Sequence, residues 1–185
     1  QRQMCIRDSI YSVGSDIAVP TICKVAEKTG KIHFVSSRTA QLCCNKHLMR
    51  EAFGQDSRFQ VPYMVCKTLA EAEKASFYPM VIKPVDSQGQ RGVFRADNFA
   101  EVSKHFDSAM SFSKSGQIIL EKYISGREVS VNAYVKDGEV IFSMLSDRES
   151  FPDLPGGIIK AHHLPSVFEN TKTHTYIKEL VADAV

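Results

Sequence analysis

The sequence predicts an α+β fold built on antiparallel sheets. From residue 61 the expected elements run β-α-β-β-α-β-β-β, so strands follow one another without the strict helix alternation of a doubly wound parallel sheet. Asp137-Gly138 between two apolar runs marks a hairpin turn, and a loop with glycines at 89 and 92 marks another. With 43% hydrophobic and 24% charged residues, the 185-residue chain has the composition of a globular protein of one ordinary domain or two small ones.

The elements follow in order. "IYSVGSD" (residues 10–16) reads as a short strand or turn. A helix comes next, with Asp16 as N-cap, Pro20 in its first turn, Val25 and Ala26 apolar, and Gly30 at its end. "KIHFVS" is a short strand candidate. In "TAQLCCNKHLMREAFGQ", Leu42, Leu48, Met49 and Phe53 stand near helical spacing and Gly54 breaks the run. "RFQVPYMVCKT" is extended, and Pro62 confines it to a sheet edge or a strand start. "LAEAEKASF" is a short helix ending before Tyr78-Pro79. "MVIKPV" is a strand and "GVFRAD" the strand that returns from the glycine loop. Asn98 caps the helix "NFAEVSKHFDSAMSFS", whose Phe99, Val102, Phe106 and Met110 share one face. "QIILEKYI" is a buried strand, "REVSVNAYVKDGEVIFSMLSD" a hairpin, and "THTYIKELVADAV" opens a last helix.

Composition excludes several classes of function. A formal net charge of +2, with lysines scattered among acids and no basic stripe, gives no case for nucleic acid. No apolar run approaches the roughly 18 residues of a membrane span, and no secretory leader pattern is visible. The five cysteines lack the C-x-x-C spacing of zinc sites, and the expectation is of reduced thiols in a cytoplasmic protein. Residues 1–9, "QRQMCIRDS", have no periodicity and read as an adaptor-derived string outside the fold. The last helical pattern carries no capping glycine or closing turn, so a piece open at both ends is expected.

Chemistry concentrates in "YPMVIKPVDSQGQRGV", residues 78–93. A strand that ends in Lys83 holds a positive charge at the sheet, and such a charge needs an anionic partner. Pro84 stiffens the exit from that strand. The loop beyond offers main-chain N–H groups at Gly89 and Gly92 and side-chain donors from Ser87, Gln88, Gln90 and Arg91, a set suited to phosphate oxygens. A plain tight turn with a surface arginine is the other reading of the same residues. Neither G-x-x-x-x-G-K-[ST] nor G-x-G-x-x-G after a strand occurs, which excludes the P-loop and the dinucleotide fingerprint. In "IILEKYISGREVSVNAYV" (118–135), an apolar strand exits through Glu121 and Lys122 toward Glu128. It can present backbone groups to a planar base and carboxylates to a ribose, or it is a hairpin with exposed charges. His162 and His163 are adjacent, so on a strand they face opposite ways and cannot chelate one metal together.

Together, "YPMVIKPV", "DSQGQRGV" and "EKYISGRE" resemble, in order, three motifs of the ATP-grasp superfamily: P-x-V-x-K-P, D-S-x-G-S-R-G-V and E-x-[FYW]-[ILV]-x-G-x-E. "YSVGSDIAVPTICKVAEKTG" is similar to the end of that family's preATP-grasp domain, and "CNKHLMREAF" to its N-K-x-x-M-R helix. The resemblance implies an ATP-grasp fold of two α+β subdomains with antiparallel sheets in residues 41–185, incomplete at its C-terminus. Residues 10–40 would be the tail of a preceding α/β domain.

The same resemblance assigns roles. Lys83 would contact the nucleotide phosphates with Lys46 alongside, and Ser87, Gln88, Gly89, Gln90, Arg91 and Gly92 would form the lid. Arg91 would meet a phosphate or an acyl phosphate, and Lys83 and Arg91 would be the catalytic pair. Glu121, Lys122, Tyr123 and Ile124 would form the adenine hinge, with Glu128 on the ribose. Gln90 departs from the family's serine and keeps a donor. His162 or His163 would approach nucleotide or acceptor, against a reading as surface or satisfied core histidines. The implied cofactors are ATP with Mg2+ or Mn2+, the metal ligands falling beyond residue 185, so this piece would be inactive by itself. The implied reaction joins a small-molecule carboxylate, activated as an acyl phosphate, to an amine or similar nucleophile. No nucleic acid or membrane partner is implied, and a homo-oligomer is compatible. A nucleotide-binding module without ligase activity, and a structural domain that binds no nucleotide, are the competing readings.

Overall fold

A computed structural model describes residues 9–33, 35–54, 58–152, 154 and 157–185. The chain divides into two compact units, Gln1–Gln55 with Gln60–Lys122, and Asp56–Phe59 with Tyr123–Val185.

The first unit opens with a single parallel bridge between Ser9 and Ile32. A 3-10 turn, Asp16–Ala18, leads into α1 (Val19–Lys28). Asp16 therefore lies inside the turn, and the residue at the N-cap of α1 is Ala18, which makes no side-chain cap. Pro20 does occupy the first turn, and Gly30 takes a φ of +62° just beyond the helix. "IYSVGSD" and "KIHFVS" form no strand among the described residues: Ile32 makes only its one bridge, with no neighbouring ladder to extend. Phe34 lies outside the described residues.

The expected single helix over 39–55 is two, α2 (Ser37–Cys44) and α3 (Lys46–Phe53). Asn45 separates them in an extended conformation, and its side chain accepts from the main-chain N–H groups of His47 and Leu48 at 3.0 and 3.1 Å. A short polar side chain that competes for backbone donors ends one helix and caps the next.

A four-stranded antiparallel sheet of order β1-β4-β2-β3 follows, made of β1 (Tyr63–Cys66), β2 (Met80–Pro84), β3 (Phe94–Ala96) and β4 (Ile118–Lys122). β1 lies at the edge, as Pro62 requires. The period of two sorts the side chains. Met80, Ile82, Ile118 and Leu120 are buried with Cys66 and Ala96 against α4 (Leu69–Ala72) and α5 (Phe99–Ser111), which contribute Ala72, Val102, Phe106 and Ala109. Each large side chain so buried stabilises the fold by about 1.5–3 kcal/mol. The alternate residues of the central strands, Val81, Lys83, Ile119 and Glu121, therefore belong to the other face. Asn98 caps α5, accepting from Glu101 N at 3.1 Å, and Phe94 stacks on His105 with ring centroids 4.3 Å apart.

The second unit holds β5 (Val129–Lys136), β6 (Glu139–Ser150) and β7 (Ile159–His163) in an antiparallel sheet of order β5-β6-β7. Asp137 and Gly138 both have positive φ, the requirement of a two-residue hairpin turn. α6 (Lys172–Asp183) is capped by Thr171. The Asp147 carboxylate accepts from Ser166 Oγ at 2.6 Å and from Val167 N at 3.1 Å, which ties β6 to the segment ahead of α6. Pro155 and Gly156 lie outside the described residues.

The glycine loop joining β2 to β3 is rooted by packing. At Gly92 the φ is +70°, and an added Cβ would meet Phe112 Cδ2 at 2.9 Å with Ala109 Cα and Pro84 Cδ at 3.3 Å. Gly89 has a φ of +66° and open space around it. Gly92→Ala should therefore destabilise by about 2–4 kcal/mol, through left-handed strain plus overpacking, and Gly89→Ala by about 1 kcal/mol through strain alone. Urea denaturation of both variants checks the order, and equal losses would contradict it.

Candidate functional site

The β2-β4 register brings the predicted lysine to an acid that its own strand lacks. Val81 stands opposite Glu121 and Lys83 opposite Ile119, so Lys83 and Glu121 are diagonal neighbours on one face. Their side chains form an ion pair between Lys83 Nζ and Glu121 Oε2. The other carboxylate oxygen, Oε1, accepts from Arg50 Nε at 2.9 Å. Glu121 is only 5% exposed. Burial pushes its pKa up, but the Lys83 ammonium, followed by the Arg50 guanidinium, outweighs that and leaves the carboxyl below the ordinary glutamate value.

Arg50 was missing from the sequence-based site. It stands four residues after Lys46, so one turn of α3 carries both cations on the same side. The final arginine of "NKHLMR" was the available signal. Lys46 is fixed at the first position of α3 by the Asn45 cap and by its own N–H, which donates to Val85 O at 2.9 Å. Its Nζ donates to Ser87 O at 2.6 Å. Burial lowers the Lys46 pKa, and the nearby Lys83 charge lowers it further, against the opposing pull of Glu121 and Asp86. Three cations thus gather about one buried carboxylate, an excess of positive charge at the exit of β2.

The loop beyond is anchored and donor-rich. Asp86 accepts from Ser113 Oγ at 3.0 Å, Lys114 N at 3.1 Å and Ser115 N at 2.8 Å, which locks the start of the loop to the turn after α5. Burial raises the Asp86 pKa, and these hydrogen bonds bring it below the ordinary value. Gly89, Gln90 and Gly92 all have positive φ. Gln88 Nε2 donates to Cys44 Sγ at 3.6 Å, and the exposed Arg91 donates from Nε to Gln88 O at 3.4 Å. A cavity of about 490 Å³ borders this loop, lined by Ser15, Asp16, Ser87, Gln88, Arg91 and Lys114 among others.

Lys46, Lys83, the 87–92 loop and Glu121 therefore meet in the first unit. The rest of the expected hinge divides. Lys122 Nζ donates to Tyr78 O, and its N–H donates to Pro62 O at 2.8 Å. Tyr123, the exposed Ile124 and Glu128 begin the second unit, where Glu128 pairs with Arg148 Nη1 at 3.3 Å. His162 and His163 also belong to that unit: His162 Nδ1 lies 3.0 Å from Ser146 Oγ, and His163 Nε2 lies 2.7 Å from Glu149 Oε2. Among the described residues, no group of three or more His, Cys, Asp or Glu side chains is placed to hold a metal ion. No described helix is long and apolar enough to cross a membrane.

A strand ending in Lys83, a rooted glycine loop and a strand ending in Glu121 and Lys122 stand in one antiparallel sheet. A family model for the ATP-grasp domain matches residues 76–182. The chain belongs to the ATP-grasp family. It is 29% identical over 128 residues to a D-alanine--D-alanine ligase of Heliobacterium modesticaldum, covering 64% of this chain and 31% of that protein. It is also 29% identical over 161 residues to the ATP-grasp enzyme fsqD of Aspergillus fumigatus, covering 80% of this chain and 26% of that protein. This ATP-grasp chain thus spans less than a third of the length of these two curated relatives. The biotin carboxylase domain of Hydrogenobacter thermophilus 2-oxoglutarate carboxylase, solved with MgADP, ADP and bicarbonate, shares the fold. Its TM-score is 0.76 at 21% identity, covering 94% of this chain and 40% of that one.

The lowered Glu121 pKa fixes the sign of a pH effect. The ionised carboxylate stabilises the fold fully above the unfolded glutamate pKa of about 4.3, and that stability is lost as pH falls through the lower folded value. Glu121→Gln should cost about 3–5 kcal/mol at pH 7, because it strands two part-buried cations. The gap to the parent should narrow as pH drops below about 4. Denaturant melts of both chains from pH 3 to 7 measure it, and a gap independent of pH would contradict the ion-pair assignment.

Proposed function

We propose that this chain supplies the phosphate-binding side of an ATP-dependent ligase that activates a carboxylate as an acyl phosphate for attack by an amine. The observation that carries the reading is the pairing of Lys83 and Arg50 with one buried carboxylate, with the Lys46 ammonium nearby on the donor-rich loop. Such an excess of part-buried cation favours an anion, and a polyphosphate has the charge to match.

In this reading Lys83 and Lys46 take phosphate oxygens, each leaving a present partner, Glu121 and Ser87 O respectively. Main-chain N–H groups of residues 87–92 cover the phosphates. Arg91, exposed on the same loop, is free of a carboxylate partner in the described contacts and reaches the transferred phosphoryl group. The Glu121 main chain reads the edge of the base while its side chain stays in the sheet. Lys122, Tyr123 and Ile124 complete the hinge, and Glu128 takes the ribose, on the strength of the motif. His162 or His163 serves the acceptor on the same footing.

The carboxylate oxygen attacks the γ-phosphorus and ADP leaves; the amine nitrogen then attacks the acyl carbon and phosphate leaves. Positioning and charge stabilisation supply the rate enhancement, and no covalent intermediate with the protein is needed. Among the described residues no cluster is placed to hold the family's Mg2+ or Mn2+, and the roles above are those of this chain's own side chains. The names of the relatives, a D-alanine--D-alanine ligase above all, favour amino acids as both carboxylate and amine.

Two outcomes test the reading. Calorimetry should show ATP binding that Lys83→Ala weakens by about 1.5–3 kcal/mol, the worth of a charged hydrogen bond; a folded chain that binds no ATP would contradict it. Because Lys46 loses its proton below the ordinary lysine range, ATP binding should weaken as pH rises through that lowered pKa. Lys46→Arg should carry binding to higher pH, since a guanidinium stays charged. Identical pH profiles for the two would remove Lys46 from the phosphate site.

A further inference from the structure

Arg50 takes no phosphate in the reading so far and contributes only its charge, yet it forms the more buried of the two described ion pairs on Glu121. Its guanidinium is 15% exposed and the Glu121 side chain 7%. The two oxygens of Glu121 are divided, Oε1 to Arg50 and Oε2 to Lys83. Lys46 adds a third positive charge that acts on both Lys83 and Glu121.

This division poses a problem for nucleotide binding. Lys83 can reach a phosphate only by leaving Glu121, and a carboxylate so little exposed cannot be left without a cation at small cost. Arg50 solves it. It approaches from α3, a separate element from both strands, and takes Oε1, the oxygen that Lys83 does not hold. We infer that Arg50 is a positioning residue which keeps Glu121 ionised and in place, and thereby releases Lys83 to the nucleotide phosphates. The inference rests on the nucleotide reading above and adds a residue to it. Arg50 acts through Glu121 and makes no phosphate contact of its own.

Without Arg50, Lys83 becomes the sole cation in hydrogen-bond contact with the Glu121 carboxylate and is retained there. Phosphate affinity then falls, while recognition of the base by the main chain does not. The conservative Arg50→Lys keeps a cation for Glu121 and should keep most of the function, although it loses the planar fork.

The experiment compares ADP and adenosine binding, by calorimetry and ligand-observed NMR, in the parent, Arg50→Met, Arg50→Lys, Glu121→Gln and the double variant. Arg50→Met should weaken ADP by roughly 10- to 100-fold, the range of a charged hydrogen bond, and leave adenosine unchanged. Arg50→Lys should bind ADP within a few-fold of the parent. In the Glu121→Gln background, where no carboxylate holds Lys83, the Arg50→Met change should have no further effect on ADP. Equal ADP binding by the parent and Arg50→Met overturns the inference and leaves the nucleotide reading intact. An equal loss with and without Glu121 also overturns it, since Arg50 would then touch phosphate directly. Loss of adenosine together with ADP in both Arg50 variants would mean a structural role only. A parent that binds neither ligand refutes the nucleotide reading and the inference together.

Discussion

One carboxylate shared between two cations is the constraint around which the first unit is arranged. Glu121 belongs to the central strand β4, Lys83 to its neighbour β2, and Arg50 to α3, so three elements distant in sequence meet at a single buried anion. A one-residue slip between β2 and β4 would turn Lys83 toward the Ile82 face and break both the ion pair and the apolar core. Register and charge therefore specify the same arrangement. The partner on α3 has its own anchor, because the Asn45 cap and the Lys46-Val85 backbone bond hold the start of that helix at the exit of β2.

The same economy governs the loop. Asp86 spends its carboxylate on the turn after α5 and so does not neutralise the lysines by direct contact. At the far end, Gly92 packs where no side chain fits. Between these anchors lie Ser87 to Arg91, with a carbonyl on Lys46, an amide on Cys44 and an exposed guanidinium. Rigid ends with a donor-rich middle suit the proposed role of a loop that meets an anion without losing its place.

Much of this was legible in the residues. The α+β class, the hairpin at Asp137-Gly138, the edge strand after Pro62 and the Asn98 cap follow from turn chemistry, proline and periodicity acting locally, and all are present. The misreadings have physical reasons. Apolar spacing ran on through residues 39–53, but an asparagine side chain that captures two N–H groups divided the helix. "KIHFVS" has strand composition, yet a strand exists only where a partner ladder does, and Ile32 has one bridge. The most instructive omission is the acid for Lys83. No window of the sequence shows that residues 83 and 121 are diagonal neighbours, because cross-strand pairing is a property of the sheet. Arg50 was hidden for the same reason, and its place one turn after Lys46 was the only local trace.

A crystal structure of the chain with ADP would test the central claim most directly. The account predicts that Lys83 Nζ has left Glu121 for a phosphate oxygen, that Lys46 has exchanged Ser87 O for another, and that Arg50 still holds Glu121 Oε1. Phosphates bound away from the end of β2, with Lys83 still on Glu121, would contradict it.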